Sequence, residues 1–282
     1  MPDAPVRRAA VAGTWYPGRP DALTAEIDRY LSQVGDTPAG ELIAIIAPHA
    51  GLMFSGPVGA WSYAAARGRV YELAVLVGPS HYAGFDGVAA FERGAFATPL
   101  GDIPIDERTA AAVIESSSMV RALRQPHDRE HSLEMQLPFL RRVLPTVPIV
   151  PLLMGYQTRA TVEDLASALA RTLLGRRALL VASTDLSHYF DARTAARLDG
   201  RFTEAVRKFD VDGLFVEFES YPEHERGRYV GCGAGAALAV LRAASLLGAR
   251  QTRVLKYANS GDVSGDYSGV VGYLAAAVGN FA

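Results

Sequence analysis

The chain has 282 residues, 49% hydrophobic and 21% charged, enough apolar material for a globular core of one or two domains and too much for a disordered chain. Its 28 Lys and Arg against 30 Asp and Glu leave a net charge of −2, which argues against a dedicated nucleic-acid binder. A single cysteine excludes an internal disulfide, a four-thiolate zinc site and a cysteine-held iron–sulfur cluster within this chain.

The opening residues, MPDAPVRRAA, have no long apolar core behind their arginines and do not read as a secretory signal. Apolar runs farther along are too short, or too interrupted by Pro and Gly, to cross a membrane, so the expected location is the cytoplasm, with no membrane or nucleic-acid partner. Asp21–Val34 follows Pro20 and sets Leu23, Ile27, Tyr30 and Leu31 on one face, the pattern of a helix. Short apolar runs between turn residues predict buried strands at Leu42–Ala47, Leu73–Val77 and Val147–Met154. Pro148 and Pro151 demote the last of these to an edge or irregular strand. Helical periodicity predicts Asp106–Leu123 and then His131–Leu144, with Asp128 as a cap and a kink or restart at Pro138. A helix at Ala160–Leu174 leads to a fourth buried strand, Ala178–Ala182. Helices at Arg193–Phe209 and Gly235–Leu247, the second rich in small residues, precede strands at Arg253–Ala258 and Val270–Ala275. The alternation predicts an α/β fold: a single domain over residues 1–282, with a central, largely parallel or mixed sheet flanked by helices.

Three of the buried strands run into polar residues in the same way. The first ends in Pro48-His49-Ala50-Gly51, the second in Gly78-Pro79-Ser80-His81, and the fourth in Ser183-Thr184-Asp185-Leu186-Ser187-His188. Ligands bind beyond the carboxyl ends of strands in open α/β sheets, so parallel neighbours would bring three histidines and an aspartate to one crevice. Cys232 lies between glycines, just before a helix whose dipole favours a thiolate; the same residue also suits a buried small hydrophobe. The flanking glycines indicate close backbone approach. His131 and Glu134, three apart, would share a helix face and line or support the pocket. Trp15 in an aromatic turn, Ser80, and Asn259 after a late strand are further pocket candidates, and His224 in a charged stretch reads as surface. Two imidazoles with one anionic ligand make a non-haem metal site with open positions, for which iron, copper and zinc are all candidates.

The runs A-G-T-W-Y-P near the start, I-I-A-P-H-A-G at Ile45–Gly51, G-P-S-H at Gly78–His81, E-H-S-L-E-M-Q-L-P at Glu130–Pro138 and S-T-D-L-S-H at Ser183–His188, with the glycine-flanked Cys232, resemble the Memo family. In bacteria and archaea its members are also called AmmeMemoRadiSam system protein B. The resemblance implies a fold similar to that of class III extradiol dioxygenases, with metal held by His49, His81 and Cys232 and with Asp185 and His188 in the pocket. Those dioxygenases carry glutamate as third ligand, so the cysteine argues against catechol cleavage. Eukaryotic members are linked to phosphotyrosine peptides and to copper- or iron-dependent redox activity. The family name implies AMMECR-type and radical SAM partner proteins.

The resulting expectation is a dioxygenase-like, metal-dependent oxidoreductase of unassigned substrate, most simply with iron. His49, His81 and Cys232 would hold the metal, and His188, oriented by Asp185, would be the acid/base. The alternatives are a peptide- or protein-binding module using the same crevice, for which the arginines are poorly clustered, and a zinc-dependent hydrolase.

Overall fold

A computed structural model describes residues 5–282, and the apolar runs predicted as strands all enter one sheet. Its strands are β1 (Gly40–Ala47), β2 (Leu73–Pro79), β3 (Val88–Ala90), β4 (Val120–Ala122), β5 (Ile149–Met154), β6 (Ala178–Ser183), β7 (His188–Phe190), β8 (Gln251–Asn259) and β9 (Val270–Phe281). The order is β7-β9-β1-β6-β2-β5-β3-β4, with β8 paired to β9 outside this path. The centre, β1-β6-β2-β5, is parallel, whereas β9 runs antiparallel to β1 and β3 antiparallel to β5. The sheet is therefore mixed. Residues 73–77 of β2 are wholly buried, as a near-continuous apolar run predicts for a parallel strand covered on both faces. Helices Arg159–Leu173 and Ala234–Leu246 pack together over the parallel strands, and Leu52–Ala66 and Ala192–Lys208 cover β8 and β9.

Three local expectations are corrected. β5 is an interior strand, not an edge. Pro148 precedes it, and the Pro151 carbonyl accepts from Phe91 N at 3.3 Å, so the proline nitrogen lacking a proton faces β3 just beyond the last registered pair, Ala90–Leu152. The helix predicted at Asp106–Leu123 stops at Glu115, and Val120–Ala122 becomes β4. Ser117 Oγ accepts from the backbone N–H of Met119 and Val120, a local alternative to helical hydrogen bonds, while Asp106 caps the start by accepting from Thr109 N. The helix predicted from His131 begins only at Leu137, after a 3-10 turn at Glu134–Gln136, because Pro138 fits its first turn. Asp128 lies at the C-terminal end of another 3-10 turn, Gln125–His127, and does not cap the helix that begins at Leu137. Helix Leu52–Ala66 has no counterpart among the sequence expectations: it is apolar all round and carries Gly56, Pro57 and Gly59, so it shows neither period nor continuity. Among the described residues, no single helix is long and apolar enough to cross a membrane.

The segment from Val6 to Tyr16 is strapped to the body by one buried carboxylate. Glu134 accepts from Ala10 N at 2.7 Å, Val11 N at 3.0 Å and Tyr16 Oη at 2.7 Å, and pairs with Arg7. Arg7 also donates to the carbonyls of His127 and Glu130. The carboxylate thus has its lone pairs filled, the condition for burying an ion pair. Replacing either Arg7 or Glu134 by Ala strands the partner's charge in the interior. The expected loss is about 3–5 kcal/mol of unfolding free energy, measured by urea titration against wild type. A loss below about 1 kcal/mol, the range of exposed pairs, contradicts the assignment.

Candidate metal centre

Because β6 lies between β1 and β2, the three polar strand ends are immediate neighbours. His49 leaves β1, His81 leaves β2, and Asp185 and His188 follow β6, at the carboxyl ends where an α/β sheet binds ligands. Cys232 joins them from just ahead of helix Ala234–Leu246. Its glycines let the backbone graze the end of β6. A Cβ on Gly233 would sit 2.2 Å from Ser183 O, and one on Gly231, whose φ is +155°, would sit 2.6 Å from Asp185 O.

The result is a compact donor set. Cys232 Sγ lies 3.1 Å from His49 Nε2 and 3.9 Å from Asp185 O, and with His81 and His188 it lines the same cavity. The rings of His49 and His81 are 5.2 Å apart, and His131 stacks on His81 at 4.5 Å. Ligand atoms of His49, His81 and His131 lie within 4.8 Å of one another, as do those of His49, Asp185 and Cys232.

Hydrogen bonds settle which ring nitrogens face inward. Ser183 Oγ donates its one proton to Ser132 O at 2.6 Å and accepts from Gln136 Nε2 at 2.8 Å. Its contact with His49 Nδ1 at 2.9 Å must therefore be donated by the ring. His81 Nδ1 likewise donates to the Glu130 carboxylate at 2.9 Å. Both Nδ1 atoms are occupied, so both Nε2 atoms are left to act as metal donors, and Cys232 Sγ lies beside that of His49. Two imidazoles and a thiolate fit iron, copper or zinc, and the buried Nδ1 atoms of His131 and His188, which lack a partner, leave donor capacity unspent.

The charges are mutually supporting. Burial works against the Cys232 thiolate, yet the charge of His49 and hydrogen bonds from His188, His49 and His81 hold the thiol well below its ordinary value. Burial also opposes charge on His81 and His188, but hydrogen bonding to Cys232, with Glu130 for His81 and the nearby anions for both, raises them to about 10 and about 9. His131 is driven the other way, by burial and then by the charges of His49 and His81, and stays neutral. Burial pushes the Asp185 carboxyl up, against the charge of His49.

A cavity of about 440 Å³ opens above this floor. Trp15, His131, Tyr189 and Arg228 wall it, together with His49, His81, His188, Asp185 and Cys232. Trp15 stands 4.3 Å from His131, ring to ring. Tyr189 is 70% exposed and holds the left-handed φ of +62°, uncommon for a residue with a side chain. His224 is exposed, as predicted.

Three pocket candidates do not reach the cavity. Glu134 turns away to the N-terminal strap, since residues 131–133 are not helical and the expected shared face with His131 never forms. Ser80 Oγ donates to Ala83 O at 2.8 Å and braces the turn after β2. Asn259 Oδ1 accepts from Gly261 N at 2.9 Å at the end of β8. Asp185 does not hydrogen-bond His188. It accepts instead from the backbone N–H of His49 at 2.8 Å and of Ala50 at 3.3 Å, which fixes the His49 loop. Glu130, Ser183, Arg228 and Tyr189 were missed as site residues. Glu130 stood beside His131 in the run Glu130–Pro138, but only the sheet brings it under His81.

The fold and site define an α/β protein with an imidazole–thiolate cluster at the carboxyl ends of adjacent parallel strands. The chain belongs to the Memo family: the profile described as Memo-like protein matches residues 7–277. A MEMO1 family protein of Thermotoga petrophila is 37% identical over 96% of this chain and 98% of its own. MK0963 of Methanopyrus kandleri, also a MEMO1 family protein, is 36% identical over 95% of this chain and 97% of its own. Among solved structures, the uncharacterized protein JW3007 of Escherichia coli K12 shares the fold, with a TM-score of 0.54 and 14% identity over 85% of this chain and all of its own.

In metal-free protein the thiolate should be present at neutral pH and disappear only as the pH falls well below the ordinary thiol value. His49→Ala removes the largest stabilising charge, so the ultraviolet thiolate signal should titrate at higher pH than in wild type. An unchanged midpoint would show that His49 does not stabilise the thiolate.

Proposed function

We propose that this protein is a redox enzyme that binds iron at His49, His81 and Cys232 and acts on a small molecule held in the cavity. The observation that carries this reading is the sulfur of Cys232 placed 3.1 Å from His49 Nε2, with the Nδ1 atoms of both His49 and His81 already bonded elsewhere. Bound there, the ion would supply one-electron chemistry and an open coordination position. The protein supplies the rest. Were a metal held there, His49 Nε2 and His81 Nε2 would have to be free of protons to act as ligands, which would couple binding to proton release. His188, whose ring lines the cavity, would serve as the general acid, passing a proton from its ring nitrogen to the bound molecule. Trp15 and Tyr189 contribute aromatic walls, and among the described residues Arg228 is the lining guanidinium able to meet an anionic group.

The soft thiolate also accepts copper or zinc, and zinc would turn the site toward hydrolysis. Elemental analysis decides among them. Protein purified without oxygen should carry near-stoichiometric iron, and His49→Ala and Cys232→Ala should lose it while melting cooperatively. Oxygen uptake with small reductants should follow the iron content. Stoichiometric zinc with oxygen-independent turnover would move the assignment to a hydrolase. Wild-type metal content in both variants, or no metal after reconstitution, would sink it in favour of a peptide- or protein-binding crevice.

A further inference from the structure

The two histidines at the candidate centre are held by chemically different partners. His49 gives its Nδ1 proton to a neutral hydroxyl, Ser183 Oγ, at 2.9 Å. His81 gives its Nδ1 proton to a carboxylate, Glu130 Oε1, at 2.9 Å. Glu130 is only 2% exposed, and the cavity lining does not include it. The same carboxylate accepts from the backbone N–H of His81, of His131 at 2.9 Å and of Ser132 at 2.9 Å, so it cannot rotate away without breaking several bonds. The chain carrying it is pinned again by Arg7, which donates to the Glu130 carbonyl.

Resting on the metal-binding reading above, we propose that Glu130 is a positioning residue for the metal: its buried carboxylate fixes the His81 ring with Nε2 inward and makes His81 a stronger donor than His49. A carboxylate behind a metal-binding imidazole orients the ring and raises its basicity, and its loss typically costs about 10- to 100-fold in metal affinity. A hydroxyl orients the ring without adding charge. The centre is therefore asymmetric at the ring nitrogens: Nδ1 of His81 meets a carboxylate and Nδ1 of His49 a hydroxyl, while the Asp185 carboxylate near His49 is bonded to the backbone N–H of His49 and Ala50. The Glu130 charge behind His81 favours the higher oxidation state of a bound ion.

Two measurements on the full chain test this. Cobalt(II) serves as an optical probe, because its thiolate charge-transfer band reports attachment to Cys232 independently of any activity. Wild type should bind it with that band. Glu130→Gln keeps the volume and an acceptor oxygen but removes the charge; it should keep the band and bind cobalt about 10- to 100-fold more weakly. With iron bound, its reduction potential should lie above that of wild type, while Ser183→Ala moves the potential less. Glu130→Asp, which retains the charge, should recover part of the affinity. Equal cobalt affinity and equal potential in wild type and Glu130→Gln overturn the proposal while leaving the metal reading intact. No cobalt on wild type overturns the metal reading itself.

The second measurement needs no variant and so stands even if Glu130→Gln does not fold. In the wild-type zinc(II) form, nitrogen–proton NMR of labelled histidine should show a proton on Nδ1 of both His49 and His81. The His81 proton should be the more deshielded, as a carboxylate partner requires. An unprotonated His81 Nδ1, or indistinguishable His49 and His81 signals, overturns the proposal.

Discussion

The insertion of β6 between β1 and β2 is the constraint on which the rest of the structure depends. Strands from distant parts of the chain become parallel neighbours, with Ala44–Ala47 registered against Leu180–Ser183 and Leu73–Val77 against Ala178–Ala182. Their carboxyl ends then open at one level, and each delivers a polar residue there. The central strands are buried and apolar, so a one-residue slip would disrupt hydrogen bonding and packing together. The donor geometry is thereby inherited from the stiffest part of the molecule, as a site that must hold ligand atoms in place requires.

Above this frame, a connected set of hydrogen bonds spends the polar capacity of the site inward. Ser183, the last residue of β6, receives from Gln136 and His49 and gives to Ser132. Gln136 also donates to Pro48 O at 3.0 Å, and its own oxygen receives the Tyr63 hydroxyl at 2.9 Å. The segment 130–136 therefore acts as a keystone beneath both histidines, although its helix begins only afterwards. The buried side-chain polar atoms of Ser183, Gln136 and Glu130 all have partners of the right kind, which is what lets them stiffen the site.

The N-terminal strap completes the cavity wall by the same economy. Glu134 holds Arg7, Ala10, Val11 and Tyr16, and Trp15 O caps helix Leu52–Ala66 by accepting from Leu52 N at 2.8 Å. The Trp15 backbone is thus held at both its N–H and its carbonyl, with the ring 4.3 Å from that of His131. A carboxylate that looked in the sequence like a companion of His131 works instead as the anchor of the wall facing it.

Much of this was legible from residue pattern. Short apolar runs located the long strands of the sheet, and their shared endings in His49, His81 and Asp185–His188 located the cavity. The glycines around Cys232 announced the close approach that the fold then displays. Such features are local: burial shows as a continuous apolar run, and a tight backbone passage shows as glycine. Strand order is not local, so the sequence could state convergence only as a condition. The partners of buried carboxylates are not local either. Glu130, Glu134 and Asp185 are each chemically free to serve any donor within reach, and only tertiary packing brought Glu130 to His81, Glu134 to the strap and Asp185 to the His49 backbone. The sequence by itself determined that His49, His81, Asp185 and His188 lie at or just beyond strand ends. Tertiary structure alone decided which nitrogen faces the thiolate, because a ring's tautomer is set by the neighbour on its far side.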